Sequence, residues 1–319
     1  MTALLDPFVF KSASIPEDLR QLNARIITEM ATYPDPWTFP PSVIREARKQ
    51  GKGIFPQQKL LPDAEILSIT GTHGEIGLRI LRPKSKARGV YMHFHSGGHM
   101  LGTNDMQDEE LERIVKNCGL AVVSVDYHLA PEYPYPAGPD DCEAAALWLA
   151  RGAKENFGVE KLLIGGESAG AHLATIALLR LRDKHGLMPF LAANLNAGCY
   201  DLSLTPSVRN WGAERLIVTT RDIKNFAAAF ISKDYDLRDP DISPLYATLQ
   251  GLPPALFTVG TRDPLLDDTL FMANRWQAAG NKTELAVYPG GCHVFQRFFT
   301  PSGIACMERQ EKFLQENLI

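Results

Sequence analysis

From about residue 65 onward, short apolar runs alternate with amphipathic stretches, which predicts strands and helices in turn. Predicted strands cover 65–70, 76–82, 89–95, 121–126, 161–165, 191–196, 255–260 and 283–288. Helices are predicted at 107–117, 140–156, 169–184, 267–279 and 302–317. This alternation implies an α/β fold built on a mostly parallel eight-stranded sheet with helices on both faces. The first two strands, joined by a short loop at 71–74, are placed to pair antiparallel. Reactive groups then belong in loops at the carboxyl ends of the strands.

Two regions break the rhythm. In residues 1–60, helices at 16–32 and 42–50 are split by Tyr33-Pro34-Asp35-Pro36-Trp37-Thr38-Phe39-Pro40-Pro41, whose prolines stop one helix and start the next. Phe8, Phe10, Tyr33, Trp37, Phe39 and Phe55 would be costly to leave in water, so this region is expected to cover the main body, residues 61–319. Residues 198–250 contain no clear strand but suggest helices at 210–217 and 222–232, as an insertion on top of the sheet would.

Candidate chemistry begins at Gly166-Glu167-Ser168-Ala169-Gly170. The apolar strand Leu162-Leu163-Ile164 runs in and an Ala- and Leu-rich helix runs out, which puts Ser168 on a sharp corner with its hydroxyl exposed. Small neighbours are needed around such a corner, and a helix N-terminus favours developing negative charge. His95-Ser96-Gly97-Gly98 ends the third strand, where paired glycines give a bare backbone. The N–H groups of Gly97, Gly98 and Ala169 are therefore the candidate oxyanion hole.

A serine hydroxyl needs a base to take its proton and an acid to orient that base. Among eight histidines, His293 is best placed, in the loop between the last strand and the last helix. Asp263, in Thr261-Arg262-Asp263-Pro264-Leu265, follows the preceding strand and is the candidate acid, with Asp201 and Asp267 as alternatives. His172 lies one turn beyond Ser168 on the same helix and is read as a packing residue. His93, His95 and His99 lack an acidic or cysteine partner at ligand spacing, so neither a metal nor a cofactor is expected.

The charge balance excludes one class of partner. With 33 basic against 37 acidic residues and only one basic cluster (Arg45, Arg48, Lys49, Lys52), nucleic acid is not expected, and the cluster reads as a solvated helix face. Five cysteines without metal-ligand spacing suit a reducing compartment. The N-terminus shows no basic leader and no apolar stretch is long enough to span a bilayer, so a cytoplasmic protein without membrane insertion is the expectation.

Together these residues resemble the hormone-sensitive lipase family of α/β-hydrolases, the group that includes many microbial carboxylesterases. The resemblance covers about 89–295 and rests on five elements in order. They are His95–Gly98, the run Asp126-Tyr127-His128-Leu129-Ala130-Pro131-Glu132, the Ser168 corner, Asp263-Pro264-Leu265 and His293-Val294-Phe295. It implies an α/β-hydrolase fold, with residues 1–60 and an insertion at about 198–235 forming a helical cap. It also implies hydrolysis of a small ester, short to medium in acyl length, through a Ser168–His293–Asp263 triad. Dimers are common among similar proteins, which leaves a homodimer open. The chain departs from the pattern at Ser96, which replaces a glycine, at His128, which replaces an arginine, and at Glu167 and His99. Amide, lactone or carbamate hydrolysis by the same triad, and non-catalytic ligand binding on the same fold, are the competing readings.

Overall fold

In the computed structural model, which describes residues 6–57 and 59–318, the alternating runs form one eight-stranded sheet. Residues 1–5, where the sequence shows no basic leader, lie outside the described residues. The strands are β1 (Glu65–Gly71), β2 (Gly74–Leu81), β3 (Val90–Phe94), β4 (Ala121–Asp126), β5 (Leu162–Glu167), β6 (Phe190–Asn196), β7 (Ala255–Arg262) and β8 (Thr283–Cys292). Their order across the sheet is β1-β2-β4-β3-β5-β6-β7-β8. β2 runs antiparallel to both β1 and β4, and every other pair is parallel.

Period-two alternation sorts each strand between two cores. Met92, Phe94, Val123 and Ile164 face one side, with Leu149 of α4 (Ala137–Phe157), Leu178 of α5 (Ala169–His185) and Trp276 of α8 (Leu266–Ala278). Tyr91, Val122 and Leu163 face the other, with Leu111 of α3 (Asp108–Cys118) and Phe313 of α9 (Pro301–Glu316). Because α5 is buried from Ala169 to Leu181, its sequence there is mostly small and apolar around the helix rather than amphipathic, with His172 and Arg180 among the buried side chains.

The N-terminal helices α1 (Glu17–Thr32) and α2 (Pro41–Lys49) are tied to this body by specific contacts. Leu19, Leu22 and Ile26 of α1 pack with Phe295 and Phe298, while the Asn23 amide donates to the Gly290 carbonyl at 2.8 Å. Asp18 accepts from the backbone and hydroxyl of Ser302 at the start of α9. The insertion supplies α6 (Pro206–Trp211) and α7 (Thr220–Phe230). Trp37 meets α7 by an edge-on contact with Phe226, 5.1 Å between centroids, and by an indole N–H bond to Asp222.

Three expectations need correction. Of the N-terminal aromatics expected to be covered, Phe8, Phe10 and Phe39 stay exposed. The helix expected at 210–217 occupies Pro206–Trp211 instead: Pro206 sits in its first turn, where no N–H is required, and Gly212 at φ 82° ends it. The basic cluster is not wholly a solvated face. Arg45 is half-buried and donates to both oxygens of Glu132 and to the carbonyls of Met100 and Ala130, although Arg48, Lys49 and Lys52 are exposed. No helix among the described residues is long and apolar enough to cross a membrane.

Candidate active site

β5 passes into α5 through a single residue, Ser168, held at φ 55°, ψ −119°. Its N–H donates to the Asn196 carbonyl on β6 at 2.9 Å, which fixes the corner against the neighbouring strand. The turn needs bare backbone beside it: a Cβ on Gly166 or Gly170 would lie 2.3 or 1.9 Å from the Phe94 carbonyl oxygen. A non-glycine residue in this region costs about 1–3 kcal/mol, so the fold spends stability to present this hydroxyl.

The structure brings the three expected side chains together. His293 Nε2 lies 3.0 Å from Ser168 Oγ, and His293 Nδ1 lies 2.9 Å from Asp263 Oδ2. All three are buried, and Asp263 Oδ1 accepts the Leu265 N–H at 2.9 Å, which fixes the carboxylate. A carboxylate only accepts, so Nδ1 carries the ring proton and Nε2 presents its lone pair to the serine hydroxyl. β8 runs four residues beyond its expected end, so His293 leaves directly from the strand terminus. Of the alternative acids, Asp201 bonds Ser203 and Tyr246 while Asp267 accepts the Ser207 N–H, and neither is paired with His293.

Gly97, Gly98 and His99 follow β3 with φ of 132°, 61° and 60°. A Cβ on Gly97 would lie 2.0 Å from the Leu101 carbonyl oxygen, so only glycine follows this path. Among the described residues, the N–H groups of Gly97, Gly98 and Ala169 find no acceptor within the protein. Gly97 and Gly98 share with Ser168 and His293 the walls of a cavity of about 750 Å³, to which Trp37 and Phe39 of the N-terminal segment and Phe226 of α7 also contribute.

Four other histidines, His93, His95, His99 and His172, bond or stack within the scaffold around this site. His93 donates through Nε2 to Glu167 at 2.9 Å, and Gln107 donates to the same carboxylate oxygen at 2.8 Å. Burial alone would raise the Glu167 pKa, but the charge of His93 and the two donors outweigh it and hold the carboxyl below its usual value. The sequence reading missed this pair, whose only signal is an acidic residue inside the serine corner. It also missed Asp268, which accepts from the N–H groups of Tyr200 and Asp201 and from the Thr205 hydroxyl, anchoring the segment after β6. His95 stacks on Tyr127 with centroids 4.2 Å apart.

His99 and His172 form a second pair. His172 Nε2 donates to the Ile242 carbonyl at 2.8 Å, which leaves Nδ1 to accept from His99 Nε2 at 3.0 Å. For that bond to hold, His172 must be neutral, with the Nδ1 lone pair free. Burial keeps it so, lowering His172 to about 4; burial also lowers His99 well below 6.5 and His95 to about 4.

Unfolded, these rings take up protons near pH 6.5. At these three sites the folded chain then binds fewer protons than the unfolded chain below that pH, so their contribution to stability falls as pH drops from about 6.5 towards 4; together they outweigh Asp268, whose carboxyl burial raises to about 7 and which acts in the opposite sense. Each histidine contributes a slope of up to about 1.4 kcal/mol per pH unit. Urea unfolding at pH 7.5 and at pH 5.0 should give a lower midpoint at pH 5.0, and equal midpoints would contradict this account.

Among the described residues, no group of three or more His, Cys, Asp or Glu side chains is arranged to hold a metal. Residues 91–297 match the family described as alpha/beta hydrolase fold. A carboxylic ester hydrolase of Mycobacterium tuberculosis, LipN, is 34% identical over 258 residues, 78% of this chain and 68% of its own length. An acetyl esterase of Salmonella choleraesuis is 29% identical over 71% of each chain. Among solved structures, a hyperthermophilic esterase from the archaeon Pyrobaculum calidifontis superimposes with a TM-score of 0.84 at 28% identity, over 95% of this chain and 98% of that one. With that share of the chain matched and a relative at 34% identity, the protein belongs to the alpha/beta hydrolase fold family, in its hormone-sensitive lipase and carboxylesterase branch.

Proposed function

We propose that this protein is a carboxylic ester hydrolase that works through an acyl-enzyme on Ser168. The observation that carries the reading is the line of contacts from Ser168 Oγ to His293 to Asp263, at 3.0 and 2.9 Å, opening on the cavity. As Oγ attacks the ester carbonyl carbon, His293 Nε2 takes its proton, and negative charge develops on the carbonyl oxygen. The free N–H groups of Gly97, Gly98 and Ala169 stabilise that charge. His293 returns the proton to the departing alkoxide. Water then attacks the acyl group by the same route, releasing the carboxylic acid and restoring Ser168.

In this reading residues 1–60 and the insertion at about 198–235 act as a cap that limits water and shapes the acyl pocket. A cavity of about 750 Å³ with Trp37, Phe39 and Phe226 in its walls suits a short to medium apolar acyl chain. The free cysteines favour a reducing, cytoplasmic setting, and a homodimer rests on the family resemblance alone.

Turnover of p-nitrophenyl esters from acetate to decanoate tests the assignment, with butyranilide as the matched amide. The expected profile peaks at short to medium chains, with the anilide slower by roughly 10³-fold or more, a gap of about 4 kcal/mol in the barrier. Comparable rates on ester and anilide would favour an amidase.

A further inference from the structure

Arg48 stands on the cavity side of α2, which supplies Val43, Ile44, Ala47 and Arg48 to the cavity wall. These positions recur with helical spacing, so an arginine occupies a stripe that is otherwise apolar. One turn earlier, Arg45 is fully engaged with Glu132 and two carbonyls. Arg48 has no hydrogen-bond acceptor and no ion-pair partner among the described residues.

The cavity's own carboxylates do not supply one. Asp35 accepts from Arg221 and from the Trp37 backbone, while Asp222 accepts the Trp37 indole N–H and the Thr219 hydroxyl and backbone N–H. Of the other two arginines in the wall, Arg221 is the one paired with Asp35, and Arg215 donates to the Tyr33 carbonyl. Lys52 adds a further cation at the wall, so positive charge exceeds negative.

The Arg48 side chain is exposed by area, yet it stands in a concave, largely apolar setting. Desolvation there, followed by repulsion from Arg297, lowers its guanidinium to about 10, and it stays charged at neutral pH. A cation in such surroundings is stabilised by an anion, and the planar guanidinium fork matches a carboxylate.

Resting on the ester-hydrolase reading above, we propose that Arg48 is a specificity residue that selects esters carrying a carboxylate at the far end of an apolar spacer. Such substrates are half-esters of dicarboxylic acids or esters of hydroxy acids. The spacer would lie along Val43, Ile44 and Ala47, and the carboxylate would meet the guanidinium.

The test compares kcat/KM for mono-p-nitrophenyl succinate, glutarate, adipate and suberate with neutral p-nitrophenyl esters of matched length. A second arm places the charge in the alcohol half, with 4-acetoxybenzoate against 4-acetoxybenzamide. In at least one arm, Arg48→Gln should lower the charged-to-neutral ratio by about tenfold to a hundredfold, and Arg48→Lys should retain most of it. Raised ionic strength should shrink the wild-type ratio. A ratio unchanged by Arg48→Gln in both arms overturns the proposal while leaving neutral-ester turnover to speak for Ser168. If neutral esters are also hydrolysed equally well by Ser168→Ala, it is the underlying reading that fails.

Discussion

Ser168→Ala is expected to lower kcat for p-nitrophenyl butyrate by roughly 10⁴–10⁶-fold, leaving a residue of activity from the oxyanion donors and binding alone. Among the described residues, Ser168 Oγ makes its side-chain hydrogen bond with His293, and no other hydroxyl is paired with that ring. Removing the oxygen removes the attacking atom and leaves the base without a proton to accept. The fold should survive, because the N–H that holds the corner to Asn196 belongs to the backbone and alanine suffers no more than serine at φ 55°. A thermal unfolding midpoint close to wild type alongside lost turnover is therefore the expected pair of results. Retained turnover would remove Ser168 from the mechanism.

Asp263→Asn is expected to lower kcat by roughly 10³–10⁴-fold with little change in KM. The carboxylate does two things at once: Oδ2 accepts from His293 Nδ1 and Oδ1 accepts from the Leu265 backbone. An asparagine keeps the second bond with its carbonyl oxygen and turns its NH₂ towards His293. That donor needs an acceptor, so Nδ1 gives up its proton and Nε2 takes one. The ring then presents a proton to Ser168 where a lone pair is required. Asp201→Asn is the control, since Asp201 contacts Ser203 and Tyr246 and should not alter the base. If Asp263→Asn retained most activity while Asp201→Asn abolished it, the acid would have been misassigned.

How far the sequence foretold the molecule depends on how local the governing interaction is. The strands were legible because each face of the sheet is buried, which imposes period-two patterns such as Tyr91 and Met92 on opposite cores. The Ser168 corner was legible because a strand running straight into a helix leaves steric room only for Gly166 and Gly170. The α6 boundary failed because apolar content at 210–217 outweighed Pro206 and Gly212, which set the true ends. α4 begins at Ala137, ahead of its expected start at 140, because Pro139 stands in the first turn, where a missing N–H costs nothing. Contacts between distant segments left no local trace. Arg45 reaching Glu132, Gln107 reaching Glu167 and His99 reaching His172 each join residues that periodicity cannot connect. Arg48 and Arg45 look alike in sequence, and only the packing of α2 separates a structural arginine from an unpaired one.

The central claim is that Ser168 is a nucleophile activated by His293. Incubating the protein with a fluorophosphonate and locating the adduct by peptide mass spectrometry tests this most directly, because only an activated serine reacts at a useful rate. One adduct per chain is expected, on Ser168, with labelling strongly slowed in His293→Ala. Absence of an adduct, or a principal adduct on any other residue, would contradict it.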